Sequence, residues 1–109
     1  MKGNNMFGNK DDTTKDILVT TTARIEDREV IEYLGVVTGS EAYKAVDGIH
    51  NQDYNFNEAY QTALSRAKKR AINDFGADAI IGVSFNMAYT GVLQEMLITV
   101  QGTCVKLGF

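Results

Sequence analysis

From Ile17 to Ile25 apolar and polar residues alternate, with Ile17, Val19, Thr21, Ala23 and Ile25 on one side of an extended chain. Period two with β-branched residues predicts a strand. Glu26-Asp27-Arg28 supplies a tight connection, because Asp tolerates turn conformations. A second strand is expected from about Glu29 to Thr38, ended by Gly39, and the two runs are expected to form a hairpin. In the second run Val30, Leu34 and Val36 fall on one face, and Ile31, Tyr33 and Val37 on the other. A strand apolar on both faces is one that is covered on both faces.

Ser40 to Gly48 reads as a short helix, capped by Ser40 and stopped by Gly48, and His50 to Asp53 reads as loop. Asn55 with Glu58 three residues later has capping-box logic. Behind it Ala59, Tyr60, Ala63, Leu64, Ala67, Ala71, Ile72 and Phe75 recur at three- and four-residue spacing. The spacing predicts one amphipathic helix over about Phe56 to Phe75, with Gly76 at the position where a left-handed residue ends it. The line Ala59, Ala63, Ala67, Ala71 lets the helix backbone approach a sheet closely, while Arg66, Lys68, Lys69 and Arg70 lie largely off that stripe.

In "GADAIIGVSF", residues 76–85, a glycine stop and an acidic turn lead into a third strand. Ile81, Val83 and Phe85 are expected to face the alanine stripe. Gly82 is expected to leave room for a neighbouring chain, so that Gly82→Val would impair assembly more than secondary structure. Thr90-Gly91 punctuates the run, and a fourth strand begins near Gln94, with Met96, Ile98, Val100, Gly102 and Cys104 on one face. The order β-β-α-β-β predicts an α+β fold: an antiparallel four-stranded sheet covered on one face by one long helix. One helix covers one face, so a second copy of the chain is the simplest cover for the other.

Composition narrows the function classes. The chain has 109 residues and 12.0 kDa, room for one domain, expected over 16–109 behind a disordered polar tail at 1–15. A net charge of −3 provides no basic field, which argues against nucleic acid and anionic membranes as partners. The single Cys104 rules out an intrachain disulfide, and no apolar run approaches the ~20 residues that cross a bilayer. A cytoplasmic location is expected.

The candidate chemistry is sparse. Soft metals take thiolate and imidazole, and one Cys with one His, Cys104 and His50, makes no CxxC or HxxxH motif. Cys104 is read as a small buried hydrophobe; a ring of subunits is the arrangement that would gather Cys104 or Met96 sulfurs. Carboxylates stand at Glu26, Asp27, Glu29, Glu32, Glu41, Asp47, Asp74 and Asp78, none spaced as a catalytic pair. Glu32 alternates with apolar residues, and is read as a partly buried group paired with Arg24 or Arg28; general acid or hard-cation ligand is the competing reading. Thr20, Thr21, Thr22, Thr99, Gln101 and Thr103 suit either a polar pocket between subunits or a solvated strand face. The Arg66–Arg70 run reads as a solvated helix face. Gly35, Gly39, Gly76 and Gly82 make neither a dinucleotide fingerprint nor a P-loop, and no nucleophile–base set exists, so no catalytic residue is expected and the protein reads as a non-enzyme.

The segments "ILVTTTARIEDREVIEYLGVVTG", "GADAIIGVSF" and "MLITVQGTCVKL" together resemble the YbjQ-like proteins, a family described as "putative heavy-metal-binding". The resemblance runs from Ile17 to Leu107. It implies small α+β subunits, dodecin-like in outline, joined as ring-shaped homopentamers. The segment "SEAYKAVDGIHNQDYNFNEAYQ" departs from the family, being shorter and without its Gly-Gly-Arg-Ser-Gly-Ala-Tyr-Glu signature, so no metal ligand is carried over. The alternative is a small-molecule-binding assembly with pockets between subunits, on Thr20, Thr22, Glu32, Tyr33, Thr99 and Gln101.

Overall fold

Valine, isoleucine and threonine crowd the second and last apolar runs, and these become the two longest strands. The computed structural model describes residues 16–44, 52–91 and 95–108; the tail at 1–15, Asp47 and His50 lie outside them. The elements are β1 (Leu18–Val19), β2 (Val30–Lys44), α1 (Gln52–Phe75), β3 (Ala79–Tyr89) and β4 (Glu95–Leu107). They make a small α+β fold, a sheet in the order β1-β3-β4-β2 under one helix.

The sheet is mixed, which corrects the antiparallel expectation. β4 runs antiparallel to β2 and to β3, but β1 pairs parallel to β3 through Leu18–Ala79 and Val19–Ile80. No long hairpin joins the first two runs, because the threonines divert the backbone. Thr22 N–H donates to Thr20 Oγ1 at 3.1 Å, and Thr22 Oγ1 donates to the Arg24 carbonyl at 2.5 Å. Such local bonds compete with a strand ladder, and residues 21–24 bend instead. The tight connection itself is present: Arg28 N–H donates to Ile25 O at 3.3 Å, with Asp27 left-handed at φ 64°.

β2 continues to Lys44, so Ser40–Lys44 is strand where a helix was expected; residues 45–48 lie outside the described set. Its ladder with Thr99–Glu95 overrides local helix and cap signals. Two irregularities, at Val30/Glu32 and Tyr33/Gly35, break the alternation. Leu34 and Val37 therefore pack against the helix layer, and Val30 joins a cluster on the far face. Ile31, Tyr33 and Val36 stay 63%, 68% and 67% exposed, so among the described residues β2 is not covered on both sides.

α1 begins at Gln52, and Asn55 sits inside its first turn, where Nδ2 donates to the Lys44 carbonyl at 3.4 Å. Ala59, Ala63, Ala67 and Ala71 are all buried, as the stripe predicts. The helix ends at Gly76, φ 62°, whose N–H donates to Ile72 O at 3.1 Å. The main core lies between α1 and Val37, Ile80, Val83, Ile98, Val100 and Cys104.

A bulge between Ile81 and Ser84 re-aims β3. Ile80 and Val83 face the alanines, and Phe85 packs on Phe56 and Tyr60 at ring separations of 5.8 and 5.4 Å. Ile81 instead joins Ala79, Val105 and Leu107 on the opposite face, contrary to the plain alternation. Gly82 occupies the bulge at φ 62° with open space where a Cβ would stand. Among the described residues no helix is long and apolar enough to cross a membrane.

Candidate functional site

The bend after β1 and the start of β2 enclose an open concavity of ≈ 1210 Å³, lined by Thr20, Thr22, Arg24, Arg28, Val30 and Tyr33 among others. The threonines are placed there by the backbone, since the Thr20 and Thr22 carbonyls accept from Val83 and Gly82 N–H at 3.0 and 2.8 Å. Glu26, Asp27 and Glu29 share the wall and outnumber the two arginines by one charge. Arg28 Nε is already engaged, donating to the Gly108 carbonyl at 2.9 Å.

Thr99 and Gln101 belong to a different surface. They lie on the sheet face away from α1, opposite Ser40 and Thr38 on one side and Asn86 and Ser84 on the other. Thr99 and Ser40 hydroxyls are 3.4 Å apart. The face is a flat band of hydroxyls and amides. The residues named for an intersubunit pocket thus split between concavity and band, with Tyr33 joining the first. Glu32 joins neither. It is exposed, because the irregularity beside it turns it outward, and among the described residues it has no ion-pair partner, which corrects the expected pairing with Arg24 or Arg28.

The soft ligands are equally scattered. Cys104 is fully buried beneath α1, and desolvation raises its thiol pKa from the ordinary 9.0. A thiol held that way resists becoming the thiolate a metal needs. Met96 is on the same strand but eight residues distant, roughly 26 Å at strand rise. Among the described residues no three His, Cys, Asp or Glu side chains are placed to hold a metal ion. The described part of one subunit does not fit a heavy-metal site.

Two features escaped the sequence pattern. Arg66 Nη1 donates to the Ser40 carbonyl and to Glu41 Oε1, both at 2.6 Å, and Arg70 Nη1 donates to the Thr38 carbonyl at 2.9 Å. Their i, i+4 spacing beside Ala63 and Ala67 was the available signal. The second is a row of exposed side chains in β3, Phe85, Met87 and Tyr89; Phe85 lies on the alanine-stripe side as expected, yet stays half exposed.

A family model described as "Putative heavy-metal-binding", that of the YbjQ proteins, matches residues 17–108. The chain belongs to the YbjQ family. Its relatives include a UPF0145 protein of Haemophilus ducreyi, 31% identical over 108 residues and covering 84% of this chain and 100% of the relative. Another, from Acetivibrio thermocellus, is 34% identical over 104 residues, covering 82% and 97%. A crystal structure of a Pediococcus pentosaceus protein of unknown function, from the DUF74 family, has the same fold at TM-score 0.58 and 21% identity, over 84% of this chain and 98% of that one. The YbjQ assignment therefore rests on nearly the whole described sheet and helix.

Proposed function

We propose that this YbjQ-family protein acts as a cytoplasmic, non-enzymatic homo-oligomer, a ring of single-domain subunits spanning 16–109, with the pentamer that the family resemblance implies. The observation that carries the reading is the exposure of Ile31, Tyr33 and Val36 together on an edge strand, a surface that favours a protein partner. Sedimentation velocity at micromolar concentration is expected to give a multiple of 12.0 kDa, and a stable monomer would overturn the reading. The heavy-metal half rests on the family description. A metal held by this protein needs ligands beyond the described residues of one subunit. Calorimetric titration of the assembly with Zn, Cu, Ni and Cd tests it, and the absence of saturable heat would count against it.

The concavity supports a second reading, a small-molecule pocket completed at the subunit boundary. Its open side and its mixture of threonine hydroxyls, arginines and Tyr33 suit a polar ligand with one flat apolar part. A crystal structure of the assembly in which no neighbouring subunit borders residues 20–33 would remove it.

A further inference from the structure

Six of the seven exposed large apolar side chains among the described residues fall into two strips. One is Ile31, Tyr33 and Val36 in β2. Tyr33 and Val36 lie opposite Val105 and Thr103, hence on the sheet face away from α1. The other is Phe85, Met87 and Tyr89 in β3, at 48%, 41% and 62% exposure. Met87 and Tyr89 lie opposite Ile98 and Met96, on the face that carries α1. The helix lies mainly over β2 and β4 and meets β3 through Ile80, Val83 and the Phe85 ring, so Phe85 is partly covered by Phe56 and Tyr60 while Met87 and Tyr89 stay open. Tyr33 and Val36 are therefore on the face opposite Met87 and Tyr89, and the two strips lie on opposite sides of the central strand β4.

We propose that these strips are the two halves of one repeated contact: the β3 strip of one copy packs on the β2 strip of the next. The inference rests on the homo-oligomer reading and names its surfaces. A two-fold pair of thin slabs brings like faces together, whereas a front-to-back contact leaves one strip of each copy free for a further neighbour and so builds rings. The six side chains supply on the order of 600 Å² of apolar area, somewhat over a third of the roughly 1,600 Å² of an ordinary stable interface. Addition of a strand along the middle of the β2 edge is disfavoured, because Arg66 and Arg70 already occupy the Ser40 and Thr38 carbonyls. β2 carries its exposed large apolar groups before that stretch.

The test uses Val36→Lys and Met87→Lys, each at an exposed position, with far-UV circular dichroism confirming the fold. Each variant alone is expected to sediment as a monomer. An equimolar mixture is expected to form a species of twice the subunit mass that grows no further, because one variant keeps the β3 strip and the other the β2 strip. Assembly of Met87→Lys like the unaltered protein, with Val36→Lys monomeric, would show β2 strips meeting each other and overturn the proposal. If both variants assemble normally, the strips are not the interface and the homo-oligomer reading survives. A monomeric unaltered protein would remove both. Tyr33→Lys and Tyr89→Lys form the second pair, used if the first loses its fold.

Discussion

At Gly39 an added Cβ would run into the carbonyl oxygen of Ala63 and stand 2.6 Å from the Ala67 nitrogen, so backbone rather than side chain sets the helix–sheet spacing there. Gly39→Ala must push α1 off β2, and we expect a loss of about 1–3 kcal/mol, read as a lower urea midpoint at unchanged slope. A midpoint equal to that of the unaltered protein would show that the layers are not in contact at this point. Cys104 makes a second prediction at this scale. Burial holds its pKa above 9.0 in the folded chain, so the unfolded chain gives up the proton first as pH rises. The thiol's stabilising contribution is whole below pH 9.0 and is lost as pH climbs through the folded value. Cys104→Ala should show a shallower alkaline loss of stability than the unaltered protein, and a thiol reagent at pH 8 should label Cys104 at the rate of unfolding. Rapid labelling of the folded protein would contradict its burial.

Among the elements, what was legible in the sequence was what local chemistry decides. The alanine stripe, the Gly76 stop, the Asp27 turn and the alternation of β4 all appear where the pattern puts them, because each depends on residues a few positions apart. Asp78 also works as a corner residue, its carboxylate accepting from Leu107 N–H at 2.9 Å. The first strand failed because threonine hydroxyls have backbone partners of their own, which period two cannot register. The faces of β2 and β3 failed for another reason. A bulge shifts alternation by one residue, and its position depends on the strand opposite. Hence Ile81, Tyr33 and Val36 lie on faces that plain alternation does not give, while Phe85 keeps the helix side expected of it, and the residues proposed for one pocket fall on two surfaces. Gly82 shows the consequence. With nothing within 4 Å of its Cβ position and φ at 62°, a substitution there is opposed by backbone conformation rather than by a crowded neighbour. Gly82→Val should cost about 1–2 kcal/mol in the subunit itself, and Gly82→Asn clearly less, since Asn accepts left-handed geometry. Equal unfolding midpoints for the two would contradict this. The arginine caps are also an element-scale device: Arg66→Ala with Arg70→Ala should leave secondary structure intact yet raise light scattering on storage, because two edge carbonyls become available to other chains.

For the whole molecule, one helix over two of four strands leaves apolar area that a chain of 109 residues has little means to cover alone. The chemistry gives no competing demand on those surfaces: the single cysteine is sealed, and the described carboxylates are dispersed or turned to solvent. Stability and assembly should then be one equilibrium. If the native state is a ring and the unfolded chain is not, mass action stabilises each subunit by about 1 kcal/mol for every tenfold rise in protein concentration. For a domain of this size that moves the melting temperature by on the order of 4 °C. We expect such a shift in the unaltered protein and none in Met87→Lys or Val36→Lys, whose melting should be independent of concentration and lower throughout. A concentration-independent Tm in all three, with the unaltered protein still sedimenting as an oligomer, would mean that the subunit core between α1, β2 and β4 is sufficient by itself and that assembly follows folding without supporting it.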